Sequence, residues 1–187
     1  MPKRTFSVGN NAHTLDARPD RLDLRDREYY PPVRSLPPQF PEAETLSTYL
    51  TSYVKSDLIL NQGNEGACTG FGLAAVVNYL LWVHALRDKN TKGFQSVSPH
   101  MLYDLAQFYD EWPGEEYEGS SCRGAMKGWH KHGVCDGERW SGSVRRKVKK
   151  PYKPANDWAF DAATRPVGVY YRVNSKSVVD MQAAILN

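Results

Sequence analysis

Cys68 follows the run Asn61-Gln62-Gly63-Asn64-Glu65-Gly66-Ala67 and stands at the mouth of a long apolar stretch. At the start of a helix the first backbone N–H groups have no helical partner, and the macrodipole favours negative charge, so a thiol placed there is eased toward the thiolate. Gln62 precedes it by six residues across a Gly-containing turn, so its amide can return toward the same point. Side-chain and backbone donors converging beside a nucleophile are what a tetrahedral oxyanion requires. The same residues also suit a small buried cysteine near a helix end, with Gln62 as a turn residue. A second constellation is Cys122, His130, His132 and Cys135, two thiols and two imidazoles within fourteen residues. It has the donor types of a tetrahedral zinc site but lacks the paired knuckle. On a helix His130 and His132 point to different faces, so histidines flanking a helix end are the simpler expectation.

The elements that must position these groups follow from periodicity. Residues 1–60 form an N-terminal Pro-rich segment: Pro31, Pro32, Pro37, Pro38 and Pro41 forbid a long helix there, although Glu44 to Tyr53 has room for a modest one. Cys68 to Leu86 is apolar almost all round, which predicts a central buried helix. Ser98-Pro99 signals a second helix, with Ser at the N-cap and Pro in the first turn, and Leu102, Leu105, Ala106 and Tyr109 on its inner face. A third begins near Ser120 or Ser121, carries Ala125, Met126 and Trp129, and stops at Gly133. Val167 to Val173 has the β-branched and aromatic content of a strand, and Ser177 to Asp180 opens a last helix. These elements divide the chain into the N-terminal segment 1–60, a helical domain 61–150 carrying Cys68, and a linker with the first elements of a second, β domain at 151–187.

The Gln62-Gly63…Cys68 spacing at the head of a long helix resembles that of papain-like cysteine peptidases. Asp23-Leu24-Arg25 looks like the Asp-x-Arg segment near the start of that family's mature domain, and Val97-Ser98-Pro99 like its next helix start. Gly119-Ser120-Ser121-Cys122-Arg123-Gly124-Ala125, with Gly133-Val134, looks like the segment whose glycine backbone pairs with substrate. The resemblance covers roughly residues 20 to 187 and is closest to bacterial members. It implies an α+β papain-like fold, here the helical left domain plus the start of the β-rich right domain. It further implies hydrolysis of peptide bonds through an acyl-enzyme at Cys68, with Gln62 and the Cys68 N–H on the oxyanion, and Gly66, Gly119 and Ser120 lining the substrate groove. No cofactor and no metal are implied, and the partner is a peptide or protein substrate.

Departures qualify the resemblance. The Trp that usually follows the nucleophile is Thr69, and the Cys usually found three residues before it is Glu65, so the family's usual disulfide at that position cannot form. With Asp23 only 22 residues after Met1, the resemblance leads to the expectation of no long inhibitory propeptide. The family's His base and orienting Asn stand about 130 to 150 residues beyond the thiol, past Asn187. His84 lies on the thiol's own helix, about 24 Å along it at 1.5 Å per residue, while His13, His100, His130 and His132 fall in the N-terminal and helical parts. The expectation is a chain with nucleophile and oxyanion donor but no base, inactive alone and completed by a C-terminal half or a partner chain. Two other readings stand beside it: a non-catalytic papain-like module that binds peptides or a partner, and a small zinc-stabilised interaction domain.

Composition bounds the rest. At 187 residues, 41% apolar and 24% charged, the chain has the make-up of one globular domain or slightly more. The apolar run Leu73 to Val83 is broken by Asn78 and falls short of the roughly 18 residues of a membrane span. No apolar stretch follows Met1 as a secretory signal requires. Three cysteines, an odd number, suit reduced thiols and a cytoplasmic location. The net charge of +3 is local: without Arg145, Arg146, Lys147, Lys149, Lys150 and Lys153 the remainder is negative. No aromatic alternates with that strip as base stacking demands, so a solvated linker is expected rather than a nucleic-acid site. An acidic run, Asp110, Glu111, Glu115, Glu116 and Glu118, is available to face it.

Overall fold

A computed structural model describes residues 4–8, 11–31, 43–110, 112, 117–144 and 152–186. The elements are β1 (Arg4–Val8), β2 (Asn11–Leu15), β3 (Ala17–Arg18), α1 (Ala43–Lys55), α2 (Cys68–Arg87), a 3₁₀ turn (Thr91–Gly93), α3 (Pro99–Phe108), β4 (Ser120–Ser121), α4 (Cys122–His132), α5 (Trp158–Ala162) and α6 (Val178–Leu186). The architecture is mixed but mainly helical. Strands β1 and β2 form an antiparallel hairpin with Arg4 opposite Leu15 and Val8 opposite Asn11. Strands β3 and β4 form a two-stranded parallel sheet.

Helix α3 is the centre of the molecule, packed on one side by α2 and on the other by α4. Met101, Leu102 and Ala106 are wholly buried, and Tyr103 and Asp104 nearly so. Small residues let the axes close. A Cβ at Gly70 of α2 would stand 2.6 Å from the Tyr103 backbone nitrogen, and one at Gly128 of α4 would stand 2.6 Å from the Leu105 Cβ. The predicted N-cap is present: the Ser98 hydroxyl accepts Met101 N–H at 2.9 Å, with Pro99 in the first turn. Ser121 caps α4 by accepting Gly124 N–H at 3.0 Å. Helix α4 ends at Gly133 (φ 73°), a left-handed position where a Cβ would also run into the Ala162 carbonyl oxygen.

Three expectations are corrected. Helix α2 is not the buried centre: Ala74, Val77, Asn78 and Trp82 face inward, but Val76 and Leu80 stay exposed. Its 20 residues are long and apolar enough, by length and composition only, to match a membrane span, because the helix continues through Asn78. That asparagine serves the fold by accepting Val97 N–H at 2.7 Å. The N-terminal segment holds more than the modest helix expected at 44–53, which α1 matches, since β1, β2 and β3 also lie in it. The stretch 167–173 forms no ladder beyond a single parallel bridge, Glu28 with Arg172. Arg172 N–H donates to Arg27 O at 2.8 Å, and Tyr29 N–H to Arg172 O at 2.9 Å. The Pro-rich span 32–42, the basic residues 145–150 and Glu111, Glu115 and Glu116 lie outside the described residues.

Helix α5, unforeseen, seals the core's end. Ala162 is fully buried, Trp158 meets Trp140 edge-to-face at 5.0 Å, and the Trp129 indole donates to Arg165 O at 2.9 Å. Asp104 ties the 140–144 loop to α3, accepting from the Trp140 indole at 3.0 Å, from Val144 N–H at 2.9 Å and from the Ser143 hydroxyl. Burial pushes the Asp104 carboxyl above its ordinary value, and those three donors act against it.

Candidate active site

Cys68 is the first residue of α2, its thiol half-buried. Ala67 at the N-cap supplies no side-chain cap to the first turn, so the helix end stays polar toward the thiol. The approach is a tight turn. Gly63 sits at φ 58° with its N–H on Asn61 Oδ1 at 2.9 Å. The Gln62 amide donates to Glu65 O at 3.0 Å, and the Glu65 carboxylate meets His100 Nε2 at 3.2 Å. A primary amide carries two N–H donors; the bond to Glu65 O uses one and fixes the amide plane three residues before the thiol.

The Gly119 segment lies directly against this turn. A Cβ on Gly66 would be 3.1 Å from Glu118 O. The Thr69 hydroxyl lies 2.5 Å from the buried Ser120 hydroxyl. Glu118 O is held from α3 by the Tyr103 hydroxyl and by the Gln107 amide at 3.0 Å. Gly66 and Thr69, on either side of Cys68, are therefore brought against the 118–120 segment, with Gln62 in the adjoining turn.

The edge of that segment is occupied by the chain itself. Ala17 pairs with Ser120 and Arg18 with Ser121 in parallel register. Asp16 packs on Gly119 so closely that a Cβ there would fall 1.7 Å from Asp16 O, so only glycine fits. The strap continues along α4. Asp20 Oδ1 accepts Arg123 N–H at 2.9 Å, and the buried Arg123 guanidinium donates to Arg21 O and to the Asp26 carboxylate. Arg172 reaches the same Asp26 oxygen at 3.1 Å. Farther out, Arg18 lies over the Tyr117 ring at 3.9 Å and Arg21 over Trp112 at 4.2 Å. The sequence reading missed this strap: Arg18, Arg21, Trp112 and Tyr117 were visible as residue types, but nothing local pairs positions some ninety residues apart. Asp23-Leu24-Arg25 was noticed, and it lies within the strap.

The remaining thiols and imidazoles have surroundings of their own. Cys122 is exposed as a residue, yet desolvation of its sulfur, then the charges of Asp20 and Cys68, push its thiol up. Burial in the core pushes Cys135 up to about 12. His132 Nε2 bonds the Tyr109 hydroxyl at 2.7 Å, His130 stacks edge-on to Tyr170 at 5.6 Å, and His84 is in the last turn of α2. Cys122, His130, His132 and Cys135 thus have separate surroundings, and no group of three or more metal-ligating side chains gathers among the described residues.

No family model and no curated protein matches this sequence. Among solved structures the chain is similar to xylellain, a cysteine protease from Xylella fastidiosa, with a TM-score of 0.64 and 22% identity. The similarity covers 100% of this chain and 66% of that one, so the chain spans just under two thirds of its neighbour's length. At that identity the likeness is one of fold alone.

Proposed function

We propose that this chain is the nucleophile-bearing part of a papain-like cysteine peptidase that cleaves peptide bonds through an acyl-enzyme on Cys68. The observation that carries the reading is the juxtaposition of a helix-start thiol with a glycine-containing edge that already accepts an extended chain. The Cys68 thiolate attacks the scissile carbonyl carbon, and the carbonyl electron pair moves to oxygen. The Cys68 N–H and the Gln62 amide hold that oxyanion, while Gly66, Gly119 and Ser120 align the substrate backbone. Collapse expels the amine, which takes up a proton; water then attacks the thioester, releasing the acid and restoring the thiol. The group that moves these protons is not assigned: His100, His130 and His132 contact Glu65, Tyr170 and Tyr109. Substrate takes the edge only when Asp16 to Arg18 leave it. All three cysteines are unpaired, which supports a reducing, cytoplasmic setting.

Mass-mapped alkylation tests the reading. Cys68 reacts with iodoacetamide before Cys122 and Cys135, whose thiols are both pushed up, and peptidyl chloromethyl ketones label it faster than iodoacetamide does. Cys68 as the slowest thiol overturns the proposal. A second reading, peptide binding without hydrolysis, is favoured by the engaged histidines. It predicts that an activated peptide ester binds yet leaves no acyl adduct on Cys68.

A further inference from the structure

The strap holds two of its cations, Arg18 and Arg21, against aromatic rings. Arg18, the register partner of Ser121, lies 3.9 Å from the Tyr117 ring centre and 5.5 Å from that of Trp112. The Tyr117 hydroxyl donates to the Asp110 carboxylate, which enriches the ring beneath the guanidinium and puts a negative charge behind it. The Trp112 indole N–H is buried without an acceptor among the described residues, on the ring that Arg21 covers at 4.2 Å. Two aromatic faces backed by a carboxylate therefore stand beside the edge that carries the strap.

We infer that Trp112, Tyr117 and Asp110 form a subsite for a guanidinium side chain of the peptide substrate, with Arg18 as its resident occupant. The inference rests on the peptidase reading and deepens it to a substrate class: peptides bearing arginine upstream of the cleaved bond. Side chains on a strand alternate between its two faces. A peptide replacing the strap along Ser120–Ser121 directs one side chain in two toward the face where Arg18 now sits. Two stacked aromatic planes match the flat, delocalised guanidinium better than the compact ammonium of lysine. Aliphatic side chains gain no cation–π attraction there, and an acidic one meets Asp110 with like charge.

The test uses the full chain carrying Arg18→Ala and Arg21→Ala, which empties the cage without touching Cys68 or Gln62. Peptidyl chloromethyl ketones with one arginine moved position by position through an alanine background are timed on Cys68 by mass spectrometry. One position is expected to label about tenfold faster than alanine, about twice-stacked guanidinium selectivity, with lysine between them, and Trp112→Ala added to the double variant abolishes the difference. Unchanged circular dichroism and iodoacetamide rate certify the fold; if the double variant loses its helical signal, the single variant Arg18→Gln carries the same comparison. Equal rates at every position, with peptidyl reagents still faster than iodoacetamide, overturn the subsite and leave the peptidase reading standing. Peptidyl reagents no faster than iodoacetamide overturn both.

Discussion

The α2–α3–α4 core and the strap from Asp16 to Tyr30 meet along one side of α4, yet they adhere by opposite means. In the core, Val97, Met101, Leu102 and Val134 are at most 1% exposed, and the polar groups that enter it, Asn78, Ser98 and Asp104, each bond a backbone or side-chain donor or acceptor. In the strap the apolar side chains face outward, Leu22 at 81% and Leu24 at 92% exposure. What holds it is a set of charged groups: Arg123 on Arg21 O and Asp26, Asp20 on the start of α4, and Arg18 and Arg21 on aromatic rings. Burial of apolar surface is non-directional and follows the whole fold, whereas charge-assisted hydrogen bonds depend on a few atoms. A segment held in the second way can leave while the core stays folded.

The largest effect separates the two regions. Leu102→Ala removes a fully buried side chain at the centre of α3 and costs about 2–5 kcal/mol, read as a lower urea midpoint. It leaves the ratio of peptidyl to small-reagent labelling at Cys68 unchanged in the protein that remains folded. A shift in that ratio would mean that core and strap are one cooperative unit.

Alkali probes the core alone. The Cys135 thiol, buried in the core, is pushed up to about 12 from an ordinary 9.0. Between those values the folded protein keeps the proton and the unfolded chain loses it, so stability is complete below about 9 and falls as pH rises toward 12. The buried Tyr103 and partly buried Tyr117 hydroxyls are also raised, and they act in the same direction. Cys135→Val makes the alkaline decline shallower, measured as melting temperature against pH. An identical slope in the variant would place the decline on the tyrosines.

Arg123→Met tests the strap. It removes two charge-assisted bonds but keeps the buried stem, and it costs about 1–3 kcal/mol. Its main consequence is at the Gly119 edge: with Arg21 O and Asp26 released, peptidyl chloromethyl ketones label Cys68 several-fold faster, while iodoacetamide gains little. Equal acceleration of both reagents would show general loosening instead of strap release.

These contrasts also mark what could be read along the chain. The helix starts at Cys68, Ser98 and Ser121 were legible because caps, prolines and apolar spacing are local signals. The close approach of Gly66 to Glu118 and of Thr69 to Ser120 carries no local signal; the resemblance pointed only to Gly66, Gly119 and Ser120 as lining one groove. The strap escaped notice because its bonds link Arg18 and Arg21 to Trp112 and Tyr117, and Asp26 to Arg123 and Arg172, with no periodicity to announce them. The hairpin β1–β2 did leave a signal, two short runs separated by Gly9 and Asn10, but the prolines downstream dominated the reading of that segment. The ranking of α2 over α3 as the central helix failed for a different cause. Uniform apolarity does not say which face is covered, and α3, with one polar residue buried among its apolar ones, is the helix with neighbours on both sides.

The smallest effect distinguishes latch from ornament within the strap. Asp23 takes the Arg25 guanidinium at 2.8 Å and the Arg25 N–H at 3.0 Å, and these bonds hold its carboxyl well below the usual carboxylate range. A depressed carboxyl lends stability above its ordinary value and withdraws it as pH falls through the folded value. Here solvent screens the pair, since Arg25 is 85% exposed and only two residues away. Arg25→Ala therefore returns the Asp23 carboxyl toward its ordinary titration, followed by carboxyl NMR, with Lys127 at 3.8 Å retaining part of the depression. Melting temperature and the peptidyl labelling ratio stay at their native values. A fall in either to the level of Arg123→Met would make Asp23–Arg25 a second latch, and the adhesion of the strap would then extend beyond α4 to its exposed turn.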